Sequence, residues 1–380
     1  MSIYLDNAAT TRPDPRVVEA MLPYLSERFG NPSSLHGLGQ QARAAVEQAR
    51  RHVATLIGAE AGTIFFTGSG TEADNLAILG AAAVAGERRH VVTTRLEHPA
   101  VRKTLAHLES RGFEVTALAP GPDGVVPVDG FAAALREDTV LACVMHVNNE
   151  IGTLQPVGPM AEAARRRGAL FLTDAVQSVG KVPVDVAALG VDFLALSAHK
   201  FHGPKGVGAL YIRPGSTLQP ALFGGEQEKG YRPGTENVPG IVGLGEACRL
   251  AAESLPAFGG TIGGIRDAFE AALTRQCPWA VVNVQGAPRS PHVSSVAFPG
   301  VHGDALVIAL DIEGVAASAG SACHSGSVAP SAVLDAMGYP PEILHGTVRF
   351  SFSRFNTHEE AARAAEVVAR TAACMRDSLG

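Results

Sequence analysis

Four short stretches hold residue types that could do chemistry, and each follows a strand-like run. The first is Thr67-Gly68-Ser69-Gly70-Thr71-Glu72. Its small residues let the backbone approach an anion, and the helix that follows offers unpaired N–H groups and positive potential. It matches neither G-x-G-x-x-G nor the P-loop. Alone it reads as a phosphate cradle or as a turn with a Ser/Thr helix cap. The second is Ser197-Ala198-His199-Lys200. A lysine beside His199, His202 and Lys205 has cationic neighbours that would depress its pKa and suit its amine to Schiff-base formation; a lone lysine is otherwise a solvated surface charge.

The third stretch, Thr173-Asp174-Ala175-Val176-Gln177, follows the apolar run Leu170 to Leu172. A carboxylate at such a strand end either caps the next helix or holds a cationic ring nitrogen. The fourth is Ser318 to Gly326 (SAGSACHSG), whose small, polar composition predicts an exposed loop around Cys323. Cysteine is among the most buried residue types, so one in such a loop is a candidate reactive thiol. Its neighbour His324 does not make a protease pair, because sequence neighbours seldom align for proton transfer. His107, His292 and His358 have no evident partners and read as surface or satisfied residues rather than ligands. No H-E-x-x-H or paired-cysteine spacing occurs, and no metal is expected.

The elements that must position these stretches alternate along the chain. Strands are predicted at Thr63 to Thr67, His90 to Thr94, Phe113 to Leu118, Val140 to Val147, Leu170 to Thr173, Phe193 to Leu196 and Val207 to Ile212. Helices are predicted between them at Glu72 to Ala85, Ala100 to Ser110 and Met160 to Arg167. Near-continuous apolar strands spaced by helices predict an α/β fold with a mostly parallel sheet covered on both faces. Beyond about residue 250, helices at Thr261 to Arg275, Asp304 to Ile312 and His358 to Arg376 alternate with sparse strands at Ser294 to Phe298 and Thr347 to Ser353. A large domain is therefore expected over residues 14–252. Residues 1–13 and 253–380 would form a smaller α+β domain that carries the Cys323 loop.

The 380 residues carry 31 Lys+Arg against 37 Asp+Glu, with no run of five like charges. That balance gives no electrostatic case for nucleic acid or an anionic membrane. No apolar stretch reaches the ~18 residues of a membrane span, and Asp6 and Arg12 come too early for a signal peptide. Five scattered cysteines argue against a disulfide framework. A soluble, cytoplasmic protein is expected.

Taken together, the stretches resemble the cysteine desulfurases, pyridoxal-phosphate enzymes of the class V aminotransferase group. The resemblance runs nearly end to end: Tyr4 to Thr11 (YLDNAATT), Phe29 to Ser34 (FGNPSS), Leu96 to Pro99 (LEHP), Met145 to Gly152 (MHVNNEIG), Asp174 to Gly180 (DAVQSVG), Ala198 to Lys200, Arg232 to Asn237 (RPGTEN), Ser321 to Cys323 and Val348 to Ser351 (VRFS). Any one motif is weak; their order and spacing are specific.

The resemblance implies the fold type I architecture of pyridoxal-phosphate transferases, with a mostly parallel seven-stranded sheet. It implies that Lys200 forms the Schiff base with pyridoxal 5'-phosphate and that Asp174 pairs with the pyridine nitrogen, keeping the ring an electron sink. His98 would stack on the ring and act as acid or base. Gln177 and Asn149 would contact the ring-hydroxyl side, while Gly70, Thr71, Ser197 and His199 hold the phosphate. Thr235 would reach the phosphate across a homodimer interface. Arg349 would clamp the substrate carboxylate, with Asn31 and Asn149 close by. Cys323 would take the sulfur of L-cysteine as a persulfide, leave L-alanine, and hand the sulfur to a protein scaffold or carrier for iron–sulfur cluster assembly or thio-modification.

Two departures bear on the assignment. The phosphate loop reads Gly68-Ser69-Gly70 where the family more often has Ser-Gly-Ala. Cys323-His324-Ser325, with Phe223 to Glu226 (FGGE), is similar to selenocysteine lyases, which release selenide and L-alanine. A reading of another class, a pyridoxal-fold binding or regulatory subunit, would fit better had Lys200 or Cys323 been lost.

Overall fold

The computed structural model describes residues 2–319 and 331–377. A short strand, β1 (Ile3–Tyr4), precedes the strands of the main sheet. These are β2 (Ile64–Thr67), β3 (His90–Thr94), β4 (Glu114–Leu118), β5 (Thr139–Cys143), β6 (Leu170–Asp174), β7 (Phe193–Ser197) and β8 (Gly208–Ile212). Their order is β2-β8-β7-β6-β5-β3-β4, and only β8 runs against the rest. Six of the seven strands therefore end on one edge, where open α/β sheets bind ligands. Strands β2, β3, β5, β7 and β8 are buried along their whole length, which is why they read as unbroken apolar runs. The sequence extends the fifth strand to Val147, but it stops at Cys143; Val147 instead bridges Leu154 across a turn stapled by Asn148, whose Oδ1 accepts from the N–H groups of Glu150 and Ile151.

A second, four-stranded sheet has the order β12-β13-β10-β9, from β9 (Val281–Val282), β10 (Val293–Ala297), β12 (Ser318–Ala319) and β13 (Thr347–Ser351). The remaining strand, β11 (Val315–Ala316), pairs in parallel with β1. The N-terminus thus packs with this second sheet, and Asp6 continues the contact by bridging Ser351.

One helix, Val238–Gln276, joins the two halves. The sequence predicts a helix only from Thr261, and Pro256, which lacks an N–H, lies just before that point. The helix instead begins behind Asn237, whose Oδ1 accepts from Gly240 N at 3.2 Å, and runs through Pro256. Packing on both sides overrides the lost hydrogen bond. Val238, Ile241, Leu244, Ala247 and Leu250 pack into the core on one face of the main sheet; Phe258, Ile262, Ile265, Phe269 and Leu273 pack into the second core beside Phe350 and Phe352. Residue 252, the expected boundary, lies inside this helix.

Candidate active site

Strand ends and helix starts converge on a cavity of about 280 Å³. It is lined by Gly70, Thr71, His98, Asn149, Asp174, Gln177, Ser197, His199, Lys200 and Arg349, joined by Ala8, Ala9, Ser69, Asp74, Met145 and Val176.

The wall after β2 is built by a capping box, the S-x-x-E pattern at Ser69 and Glu72. Ser69 Oγ accepts from Glu72 N at 3.1 Å, and Glu72 Oε2 accepts from Gly68 N at 2.8 Å. The helix Gly70–Ala83 then starts with its N–H groups at the cavity. Arg232 Nε donates to Glu72 Oε1 at 2.9 Å and ties the loop before Thr235 to this helix start. A Cβ on Gly70 would lie 2.6 Å from Val176 Cγ2, so glycine lets the helix start approach the turn after β6.

Asp174 ends β6 and is buried. The sequence left a helix cap and a partner for a cationic ring nitrogen as alternatives; a turn rather than a helix follows, Oδ1 accepts from Val176 N at 2.9 Å within it, and the side chain lines the cavity. Burial raises its pKa, offset by the nearby His98 and Lys200. His98 caps the helix Pro99–Glu109, with Nδ1 accepting from Ala100 N at 3.1 Å. Burial pushes its pKa down. It is therefore a neutral ring carrying its proton on Nε2.

Lys200 ends a single 3₁₀ turn after β7. Its Nζ donates to the carbonyls of Ala8 at 2.8 Å and Ala9 at 2.7 Å, so the N-terminal segment aims the amine. The same segment fixes the flanks: His199 Nδ1 lies 3.1 Å from Thr10 Oγ1, and Thr11 Oγ1 accepts from His202 N at 2.7 Å. The expectation of three cationic neighbours needs correction. Burial drops His199 and His202 to about 4 each, so both are neutral at pH 7, and Lys205 is exposed.

Arg349 is buried at the centre of β13, opposite Ser295 and Ser318. Its Nη1 donates to Asn149 O at 2.9 Å and its Nη2 to Asp6 Oδ1 at 2.8 Å, while Nε makes no hydrogen bond. The guanidinium holds a carboxylate within the chain at the cavity wall.

Three predicted residues are not in this lining. Asn31 is exposed, its Oδ1 accepting from Ser33 N at 2.9 Å, and Thr235 is exposed on its loop. Cys323 lies outside the described residues. Sequence reasoning in turn missed Ala8 and Ala9, which act through carbonyl oxygens, and Asp74, a fully buried acid whose Oδ1 has no partner. Asp74 sits four residues after Gly70 among Ala73, Leu76 and Ala77. A carboxylate on an otherwise apolar helix face was the signal available for it.

Chemically, the cavity offers an amine, a buried acid suited to a cationic ring nitrogen, a neutral imidazole, a helix N-terminus with hydroxyls suited to a phosphate, and a guanidinium suited to a carboxylate. That donor set fits pyridoxal phosphate together with an amino acid. Among the described residues, no group of three side chains could hold a metal ion and no helix is long and apolar enough to cross a membrane.

The comparisons with known proteins agree. A cysteine desulfurase of Trichormus azollae is 45% identical over 366 residues, 96% of this chain and 92% of that protein. A solved NifS-like protein superposes with a TM-score of 0.93 at 37% identity, over 98% of this chain and all of that one. SspA, solved in complex with cysteine, is 36% identical with a TM-score of 0.83 over 94% of this chain and all of that one. The model of aminotransferase class V matches residues 3–363, and with the fold and the cavity it establishes that the chain belongs to the class V aminotransferase family.

Proposed function

We propose that the protein is a pyridoxal-phosphate-dependent cysteine desulfurase, converting L-cysteine to L-alanine and passing the sulfur through Cys323 to a protein acceptor. The observation that carries this reading is the meeting of Lys200, Asp174, His98 and Arg349 in one cavity. The names of the relatives and the cysteine held by SspA support the substrate class.

In this reading Lys200 is the amine that holds the cofactor, and Asp174 holds the proton of its ring nitrogen. The helix start at Gly70 and Thr71, with Ser197 and His199, receives the phosphate. When bound, pyridoxal phosphate supplies an electron sink for negative charge at the substrate's α-carbon. Arg349 exchanges Asp6 for the substrate carboxylate and orients the amino acid beside Asn149. His98, neutral with its proton on Nε2, moves protons at the leaving face. The Cys323 thiolate attacks the substrate sulfur: the carbon–sulfur bond breaks, a sulfur–sulfur bond forms, and the carbon skeleton takes up a proton to leave as alanine.

The working unit is a homodimer. Leu22, Leu25, Phe29, Leu35 and Phe223 are exposed apolar side chains on the same stretches as Asn31 and Thr235. A partner packed there would bring those two residues to a cavity their own chain does not give them. The compartment is the cytoplasm, where the buried thiols Cys143, Cys248 and Cys277 stay reduced.

The test is alanine formation from L-cysteine and from L-selenocysteine, side by side, with wild type and Cys323→Ala. Wild type should release alanine from cysteine at least as fast as from selenocysteine, and Cys323→Ala should lose cysteine turnover yet keep the cofactor's absorption band. Alanine from selenocysteine alone would make the protein a selenocysteine lyase. An unchanged rate in Cys323→Ala would remove the thiol from the mechanism.

A further inference from the structure

A buried polar chain runs away from the cavity behind Gln177. Lys181 Nζ donates to Gln177 Oε1 at 2.8 Å, and His292 Nε2 lies 3.2 Å from both Lys181 Nζ and Gln177 Oε1. The far ring nitrogen, His292 Nδ1, is 2.5 Å from Ser290 Oγ. Lys181 is 4% exposed, and His292 and Ser290 are 0%. A buried lysine ordinarily needs a carboxylate, because an isolated charge is costly to remove from water. None is hydrogen-bonded here. The charged groups facing Lys181 are the cations Lys200 and Arg349, and Arg266 also faces His292. Burial and those cations push both groups well below their usual pKa values. A neutral pair satisfies every contact: Ser290 donates to Nδ1, and the Nε2 proton points at Gln177 Oε1 and the Lys181 lone pair.

We infer that Lys181 and His292 are positioning residues that fix the orientation of the Gln177 amide, so that Gln177 meets the cofactor only as a hydrogen-bond donor. Both groups present N–H to the same side-chain oxygen. The amide therefore cannot turn over without setting NH₂ against two donors among side chains that are all buried. Its Nε2 is left on the cavity side, where it donates to Ala8 O at 2.8 Å, the carbonyl that also receives Lys200 Nζ. This inference rests on the cavity being the pyridoxal-phosphate site. With Asp174 on the ring nitrogen and the helix start on the phosphate, the ring oxygen is the acceptor left for a Gln177 N–H.

A donor at that oxygen stabilises its anion and weakens its hold on the neighbouring proton. Losing the donor therefore raises the pH at which the bound cofactor's visible band titrates. The experiment is a spectral pH titration of the purified, cofactor-loaded enzyme. Lys181→Met should raise the midpoint by roughly half to one pH unit, the span of one net hydrogen bond. Lys181→Gln, which keeps an N–H, should hold the wild-type midpoint. In a Gln177→Ala background, Lys181→Met should shift nothing further. If Lys181→Met does not fold, His292→Leu removes the second donor and gives the same comparison. Equal shifts in both backgrounds would mean that Lys181 acts through its own field, overturning the inference. So would no shift in a folded, loaded variant. A wild type that takes up no cofactor would overturn the site assignment itself and is seen before any variant is compared.

Discussion

Asp6 and Arg349, 343 residues apart in sequence, form an ion pair at 2.8 Å at the edge of the cavity. The aspartate presents a carboxylate to the guanidinium that a substrate carboxylate would need, so the two compete. Asp6→Asn keeps an oxygen in place to orient Arg349 but removes the competing charge. KM for L-cysteine should fall about five-fold, the scale of a partly buried pair worth about 1 kcal/mol. Thermal stability should fall as well, since Arg349 keeps a buried charge with a weaker partner. Steady-state alanine kinetics decide it. A raised KM would show that Asp6 orients the arginine more than it competes.

Glu97 makes stability depend on pH in an uncommon direction. The side chain is fully buried, its Oε1 accepting from Thr94 Oγ1 at 2.7 Å and Met145 N at 3.0 Å, while Oε2 has no partner. Burial raises its pKa from 4.5 to about 8 against those two hydrogen bonds, with the nearby Asp174 adding to the rise. Between these pH values the folded protein binds a proton that the unfolded chain has lost. Stability is then full below about pH 4.5 and falls as pH rises through 8, where the loss is complete. Glu97→Gln mimics the neutral acid and has no proton to lose. Its melting temperature should exceed that of wild type by a margin growing from pH 5 to 8, equivalent to a few kcal/mol at most. Parallel melting curves across that range would show that Glu97 is ionised in the folded state.

The parts of this protein legible from sequence are those whose physics is local. Strands such as Phe193–Ser197 announced themselves because a strand buried on both faces is apolar throughout. A Ser/Thr cap at the helix start after β2 was readable for the same reason, though not the part that Glu72 plays in it. Burial is not local, and that is where the reading failed: His199, half-buried, and His202, buried, looked like cations beside Lys200 but are neutral at pH 7. Backbone groups are equally silent, and nothing in the letters of Ala8 and Ala9 says that their carbonyls hold the site lysine. His292, read as a surface or satisfied residue without an evident partner, is buried against Lys181, 111 residues away.

Arg50 and Glu228 support the loop that carries Thr235. Two parallel hydrogen bonds, 2.9 and 2.8 Å, join the guanidinium to the carboxylate, and Glu228 Oε2 also accepts from Phe66 N at 2.8 Å. They hold Glu228 and Lys229 in the left-handed region, at φ 49° and 56°, a conformation costly for side chains of that size. Arg50→Met should strand a buried charge and cost about 3–5 kcal/mol, read as a lower melting temperature. Adding Glu228→Leu should restore a good part of it. If the double variant melts no higher than Arg50→Met, the carboxylate is not the source of the loss.

The last prediction concerns how closely the helix start at Gly70, the proposed phosphate site, is fitted to the turn behind it. A Cβ on Gly70 would lie 2.6 Å from Val176 Cγ2 and 3.4 Å from Ser197 Cβ. The first distance is well inside van der Waals contact and cannot be absorbed without movement. Val176 follows Asp174 by two residues, and its N–H is the donor that holds Asp174 Oδ1. A methyl group at position 70 would therefore push together on the proposed phosphate cradle and on Asp174, the acid proposed to meet the ring nitrogen. Gly70→Ala should weaken pyridoxal-phosphate affinity by about ten-fold, equivalent to the ~1–3 kcal/mol typical of overpacking. Val176→Ala alone should change affinity little, and in the double variant it should return most of the loss, because it removes the methyl that the new Cβ strikes. Equilibrium binding of the cofactor to apoprotein measures all four corners of this cycle. If Val176→Ala brings no recovery, the damage lies in the helix start itself rather than in its contact with the turn.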